Sequence, residues 1–154
     1  MNKRPEGMHA ITPDFVVRDA AAAIALYEKA FGAELGMKMM VPGSEMIMHA
    51  EIMIGDSMLF ISDVAPGIER EAPKAGSLSS VAFYHYVDDV DVAYKRAVGA
   101  GMAGKNEPSD MFWGDRTAVV NDGFGGNWTL ACHVKDVSAE EIDAAMAAFQ
   151  NQAT

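Results

Sequence analysis

Cysteine is almost missing from this chain: Cys132 is the only one in 154 residues. One thiol excludes an internal disulfide and any thiolate-rich zinc site, and on an apolar strand it reads as a small buried side chain. Long apolar runs are missing as well. No stretch reaches the roughly 18 unbroken apolar residues that a membrane helix needs. The opening MNKRPEGMH carries no apolar core of the secretion-signal kind, so a cytoplasmic protein is the expectation. Positive charge is scarce, with 12 Lys and Arg against 22 Asp and Glu and a formal charge of -10. Such a surface repels phosphate backbones, and no basic stripe is interleaved with aromatics, so neither nucleic acid nor membrane is an expected partner. The charge reads as a solvated, solubilising surface. The familiar catalytic strings are missing too: there is no GxSxG elbow, no GxxxxGK[ST], and no GxGxxG between a strand and a helix.

What is present is enough for one domain with a real core, since the chain is 50% hydrophobic and too short for two ordinary domains. Residues 10 to 17 read as a short strand whose Pro13 suits an edge or an end. Asp19 then caps a helix with Ala20, Ala23, Ile24, Tyr27 and Phe31 at core-facing spacing, stopped by Gly32. Three strands follow, Leu35 to Val41, Met46 to Ile54 and Met58 to Asp63, divided by Pro42-Gly43-Ser44 and Gly55-Asp56-Ser57. Residues 64 to 79, with two prolines and two glycines, read as a linker or a long loop over a pocket mouth. The pattern then restarts. Val81 to Val87 is a strand, Asp89 a cap, and Val90, Ala93, Tyr94 and Ala97 the inner face of a helix stopping near Gly99 and Gly101. Val17-Arg18-Asp19 overlays Val87-Asp88-Asp89 at an offset of 70 residues, the mark of a duplicated unit. The expected organisation is a single domain over 1–154: one module at about 10–63, a linker at about 64–79, a second module at about 80–133 and a terminal helix at about 138–151. Ser138 and Glu141 form a capping box for that helix. Its stripe of Ile142, Ala145, Met146 and Phe149 docks either on its own domain or on a second subunit.

The densest chemistry lies between Asp110 and His133. Phe112, Trp113, Asp115 and Arg116 precede a strand over Thr117 to Val120, a turn of Asn, Asp and Gly follows, and a second strand runs from Trp128 to His133. Aromatic faces stack planar ligands and a guanidinium clamps an oxyanion, so Phe112, Trp113 and Arg116 are candidate ligand contacts. The competing reading buries Trp113 and pairs Arg116 with Asp110 or Asp115. On the third strand, His49 and Glu51 share a face with Met53, opposite Ala50, Ile52 and Ile54. An imidazole beside a carboxylate can move a proton, bond a polar ligand or simply satisfy itself. His85 has the parity of the packed side, where a backbone hydrogen bond is expected; His133 and His9 read as solvent or capping residues. Seven methionines, Met37, Met39, Met40, Met46, Met48, Met53 and Met58, crowd the first module's hairpins. They read as core filling or as a permissive apolar pocket.

These residues carry a resemblance. The order βαβββ–βαβββ, ITPDFVVRDAAAAIALYEKAFGAEL, IMHAEIMIGDSMLFISD, YVDDVD and MFWGDR…DGFGGNWTLACHVKDVS resemble the glyoxalase/bleomycin-resistance/dioxygenase (vicinal oxygen chelate) superfamily, and within it the PhnB-like branch. Gly123 stands where that branch usually has proline, and Gly126 where it often has histidine. The resemblance implies an α+β fold of two βαβββ modules in a cup-shaped mixed sheet, commonly completed in a homodimer, around a small organic ligand. The superfamily's metal enzymes take one ligand from each of four strands, at positions matching Thr12, Phe60, Ala82 and Thr129. None is a good divalent-metal ligand, so no cofactor is expected and a divalent metal is disfavoured. The expected ligand contacts are Thr12, Asp14, Phe60, Phe112, Trp113, Arg116 and Thr129. The alternatives are a superfamily lyase, isomerase or dioxygenase with a displaced catalytic site including His49 and Glu51, and a structural or interaction dimer.

Overall fold

The helix expected after Asp19 forms over Ala20–Phe31 (α1), because a run of strong helix formers is closed at both ends. The Asp19 carboxylate accepts from the Ala22 backbone N–H at 2.9 Å, and Gly32 leaves the helix at φ 70°, in the left-handed region. A computed structural model describes residues 3–5, 7–67 and 69–152, with side chains up to residue 148. Before α1 lies β1 (Asp14–Val17), and after it come β2 (Glu34–Met40), β3 (Ile47–Ile54) and β4 (Ser57–Asp63). The second half repeats this with β5 (Ala82–Tyr86), α2 (Val90–Ala100), β6 (Ala103–Asp110), β7 (Asp115–Asn121) and β8 (Asn127–His133). The last element is α3 (Ala139–Gln152).

The duplication holds at the level of register. One sheet runs β1-β4-β3-β2 and the other β5-β8-β7-β6, each with its first and last strands parallel and the rest antiparallel. Asp14 lies opposite Phe60 in the first sheet and Tyr84 opposite Thr129 in the second. The fold is thus two four-stranded mixed sheets rather than one continuous sheet: β1 and β5 are edge strands, and no ladder joins them among the described residues. Phe15 and Phe83 bridge the gap instead, with ring centroids 5.5 Å apart.

The core lies between the sheets and the paired helices α1 and α2. Alternation along each strand decides what enters it. Ala50, Ile52 and Ile54 of β3 and Leu59 and Ile61 of β4 point to the helices, as do Ala118 and Val120 of β7 and Trp128 and Leu130 of β8. Fully burying one such side chain stabilises the fold by roughly 1.5–3 kcal/mol. Asp63 is also buried, and it earns its place by accepting from two backbone N–H groups, Ala20 at 2.8 Å and Ile47 at 2.7 Å.

Three expectations change. A strand forms over Ala103–Asp110, where no apolar alternation marks one; AGKNEPSD is an outer strand, and Pro108 falls in the register shift between Asn106 and Ser109. None of the seven clustered methionines is buried: Met37, Met39, Met40 and Met48 are exposed and the others half-buried. Met37, Met39 and Met40 fill no core because β2 is the outermost strand of its sheet and is exposed along its whole length, and Met48 and Met53 because they alternate with the helix-facing residues of β3. The capping box of α3 does form, Ser138 N–H donating to Glu141 at 2.9 Å and Glu141 N–H to Ser138 at 3.2 Å. Yet α3 packs against no other helix or strand among the described residues. Met146 is exposed, and Phe149 lies beyond the described side chains. Among the described residues no helix is long and apolar enough to cross a membrane.

Candidate functional site

Where the edges of the two sheets approach, a cavity of about 590 Å³ opens between β1, β5, the β7–β8 turn and the connector that joins the halves. Phe15, Phe83 and Phe124 supply aromatic surface, and Arg70, Pro73 and Leu78 of the connector form the outer wall. That wall is held in place at two points. Arg70 bonds the Asp14 carboxylate at 2.8 Å and the Asp14 carbonyl at 2.7 Å. Arg18 donates to the carbonyls of Pro73 and Gly123, and Pro73 sits so close to Gly125 that a β-carbon there would overlap its ring. A second cavity of about 450 Å³ lies on the other side of β5, against Ile54, Met58, His85 and Trp128.

The floor beneath the first cavity is built by the DGFGG turn. The Asp122 carboxyl group, buried, accepts from Tyr27 Oη at 2.6 Å, Trp128 Nε1 at 2.9 Å, and the backbone N–H groups of Phe124 and Gly126, each at 2.8 Å. Burial, followed by the charge of Asp122, drives the Tyr27 phenol far above its usual pKa, so it stays protonated as the donor. The two departures from the resembled pattern follow from this turn. Gly123 adopts φ 78°, which is closed to proline, and a side chain at Gly126 would overlap the Asp122 carboxylate.

His49 and Glu51 stand on the face of β3 away from the helices, half-buried, with Nε2 and Oε1 3.7 Å apart. The His49 ring meets the edge of Phe60, whose centroid is 4.7 Å away. The two expected partners therefore adjoin, too far apart for a hydrogen bond but within reach of one ligand atom.

The corresponding face of the second sheet carries a group that alternation alone did not single out. Asp115, buried at the start of β7, lies directly opposite His133 on β8. Its Oδ1 is 3.0 Å from His133 Nδ1, and its Oδ2 accepts from the Tyr84 hydroxyl at 3.2 Å. His133 Nε2 reaches Asp136 at 2.9 Å. Hydrogen bonds to Asp136 and then to Asp115 raise the His133 pKa, and the His133 bond is the first cause that lowers that of Asp115. His133 is therefore no idle strand end. The missed signal was the pairing of FWGDR with the final strand, visible only once register places Asp115 against His133.

The rest of FWGDR divides between the two faces. Phe112 and Trp113 are exposed, ring edge to ring face at 5.0 Å, and Trp113 is among the neighbours that lower the pKa of Asp115. Gly114 adopts φ 99° and packs on the Lys135 carbonyl, while its own carbonyl accepts from the Val134 and Lys135 N–H groups. Arg116 turns to the helix side. Its Nε and Nη2 donate to Asp91 of α2 at 2.7 and 3.0 Å, and its Nη1 to Asp110 at 2.8 Å. The structural pairing with Asp110 forms, that with Asp115 does not, and Asp91 takes its place.

The four-strand metal set does not come together as donors. Phe60 and Ala82 have no ligating atom, Thr12 precedes β1, and Thr129 lies half-buried opposite Tyr84. Among the described residues no group of three His, Cys, Asp or Glu side chains could hold an ion. Of the expected ligand contacts, only Asp14 lines either of these two cavities. His85 does face the packed side, edge-on to Phe31 at 5.3 Å, but among the described residues its Nδ1 has no hydrogen-bond partner, contrary to the expected backbone bond. Burial lowers its pKa and so favours the neutral ring. His9 is exposed and borders the second cavity. Cys132 is half-buried rather than enclosed.

A family model described as the Glyoxalase/Bleomycin resistance protein/Dioxygenase superfamily matches residues 8–130. The uncharacterized protein Mb0911c of Mycobacterium bovis is 39% identical over 142 residues, covering 89% of this chain and 91% of that protein. Among solved structures, TioX from Micromonospora sp. ML1 has 23% identity and a TM-score of 0.66, covering 82% of this chain and 100% of that one. The genomically encoded fosfomycin resistance protein FosX from Listeria monocytogenes has 15% identity and a TM-score of 0.61, covering 87% and 97%. At these identities the likeness to solved structures shows the fold alone.

Proposed function

The chain belongs to the glyoxalase/bleomycin resistance protein/dioxygenase superfamily, and we propose that within it this protein binds a small organic molecule without the metal centre of the superfamily's enzymes. The observation that carries the reading is the cavity of about 590 Å³, walled by Phe15, Phe83 and Phe124 and closed by a connector pinned through Arg18 and Arg70. Its size is that of a drug-sized ligand, and its lining joins the aromatic surface to the polar side chains of Asp14, Arg70, Glu71, Lys74, Ser79 and Ser80. Asp14 and Arg70 neutralise each other there, and with Phe15, Phe83 and Phe124 this suits a planar aromatic ligand that carries polar groups. The PhnB-like branch belongs to this proposal on the strength of FWGDR and the WTLACH strand. So does a cytoplasmic homodimer: a lone cysteine suits a reducing compartment, and among the described residues the helix that carries Ile142, Ala145 and Met146 packs on no other helix or strand.

A thermal-shift screen of planar aromatic compounds tests the binding reading. A ligand present at 100 times its dissociation constant stabilises the fold by about 2.7 kcal/mol. Phe124→Ala should abolish the shift given by any hit, and the absence of hits at millimolar concentration would sink the proposal.

The second reading, a proton-moving enzyme at His49 and Glu51, draws on their 3.7 Å approach beside Phe60. Metal analysis of the purified protein separates the two. Stoichiometric divalent metal lost in His49→Gln and Glu51→Gln would favour the enzyme.

A further inference from the structure

Tyr84, Tyr86, Trp113, Asp115, His133 and Asp136 form one continuous patch on the face of the second sheet that turns away from the helices. Alternation puts Tyr84 and Tyr86 of β5 on that face, with Asp115 and His133 on the neighbouring strands. Three rings that ordinarily seek cover stay in solvent: Tyr84 is 49% exposed, Tyr86 63% and Trp113 38%. The Tyr84 and Tyr86 rings are tilted against each other with centroids 5.3 Å apart. Behind them Asp115 is held by Tyr84 and His133, so its charge cannot swing away from the rings. The charge count is a separate observation. Two carboxylates, Asp115 and Asp136, flank a single imidazole, so the group is negative whether His133 is protonated or neutral. The nearby Lys135 does not cancel this charge, because its ammonium lies 3.7 Å from Glu141.

Aromatic faces beside a fixed negative charge attract one chemical class above others. A quaternary or tertiary ammonium is held by ring quadrupoles and by the carboxylate at once, and its weak hydration makes it cheap to desolvate. An anion meets repulsion there, and a neutral apolar molecule gains only the ring contacts. We propose that this patch is a binding site for a small organic cation, with Trp113, Tyr84 and Tyr86 as the aromatic wall and Asp115 as the anchoring charge. Tyr84 and Tyr86 also border the second cavity, but no residue of the patch lines the larger cavity of about 590 Å³, so the site stands or falls independently of the ligand proposed there.

Choline and its neutral isostere 3,3-dimethyl-1-butanol are the probes, with the indole N–H resonance of Trp113 followed by NMR and that of the buried Trp128 as the internal control. Choline should move the Trp113 signal in a saturable way. The isostere should bind at least about tenfold more weakly, and Asp115→Asn should weaken choline by a similar factor. Because Asp115→Asn also removes an internal hydrogen bond, the exposed Tyr86→Leu gives a second arm, expected to weaken choline several-fold while the Trp128 signal stays in place. Equal binding of the two probes, an unmoved Trp113 at 50-fold molar excess of choline rising to millimolar concentration, or a second copy of the chain covering Tyr86 and Trp113 would overturn the proposal.

Discussion

The hydroxyl of Tyr27 on α1 donates to the carboxyl group of Asp122, in the turn between β7 and β8, at 2.6 Å. The two residues are 95 apart in sequence and both are buried, so one hydrogen bond ties the helix of the first half to the glycine-rich turn of the second. Tyr27 also packs on Trp128, with centroids 5.4 Å apart, and Trp128 donates to the same carboxyl group.

That link gives the first prediction. Tyr27→Phe keeps the ring but removes the donor, and should cost about 1.5–3 kcal/mol in denaturant unfolding. Asp122→Ala should cost more, because it strands four donors at once. A neutral result for both would mean that the halves are joined by apolar packing and by other bonds, such as that from Arg18 to the Gly123 carbonyl.

Gly114 supports the second. Its φ of 99° is unfavourable for any other residue, and a β-carbon would overlap the Lys135 carbonyl. Gly114→Ala should therefore cost at least about 2 kcal/mol, the sum of strain and a displaced backbone. The same change should shift the His133 NMR signals, because the segment after β8 is held by the Gly114 carbonyl. Wild-type stability in that variant would contradict the packing described for FWGDR.

The third concerns pH. His133 has its pKa raised above the ordinary 6.5 by Asp136 and Asp115, so the folded state holds this proton more tightly than the unfolded chain. Its stabilisation is complete below the unfolded value and fades as pH rises through the raised one. Asp115 runs the opposite way. Its pKa is lowered from 3.8, so its contribution is present above that value and lost as pH falls through the lowered one. The pair is most stabilising between the two limits. An imidazole titration by NMR should give His133 a midpoint above 6.5, and Asp136→Asn should lower it; a midpoint at or below the ordinary value would show that the carboxylates do not engage the ring.

Legibility followed the physics of each element. The caps at Asp19, Asp89 and Ser138 are local signals, set by residues within one helical turn, and each forms as expected. The faces of β3 and β8 follow from alternation, so His49 and Glu51 were correctly paired across from Ala50 and Ile52. β6 was illegible because an outer strand needs no apolar face; only its pairing with β7 makes it a strand. The exposed methionines misled for a related reason. Composition reports apolar character but not whether a strand lies at the edge of a sheet, as β2 does, or which of its faces is covered, as for Met48 on β3.

The sequence by itself determined the repeated strand, cap and helix of each half, the helix limits, the inward face of β3 and the family, because each depends on residues near one another or on a repeated string. The tertiary structure alone decided that Arg116 serves α2, that Asp115 finds His133, and that Tyr27 finds Asp122. Those choices hang on register between strands and on how one half is set against the other. Partners separated by 18 to 95 residues leave no periodic trace in the chain, and only the folded backbone brings their side chains within hydrogen-bonding distance.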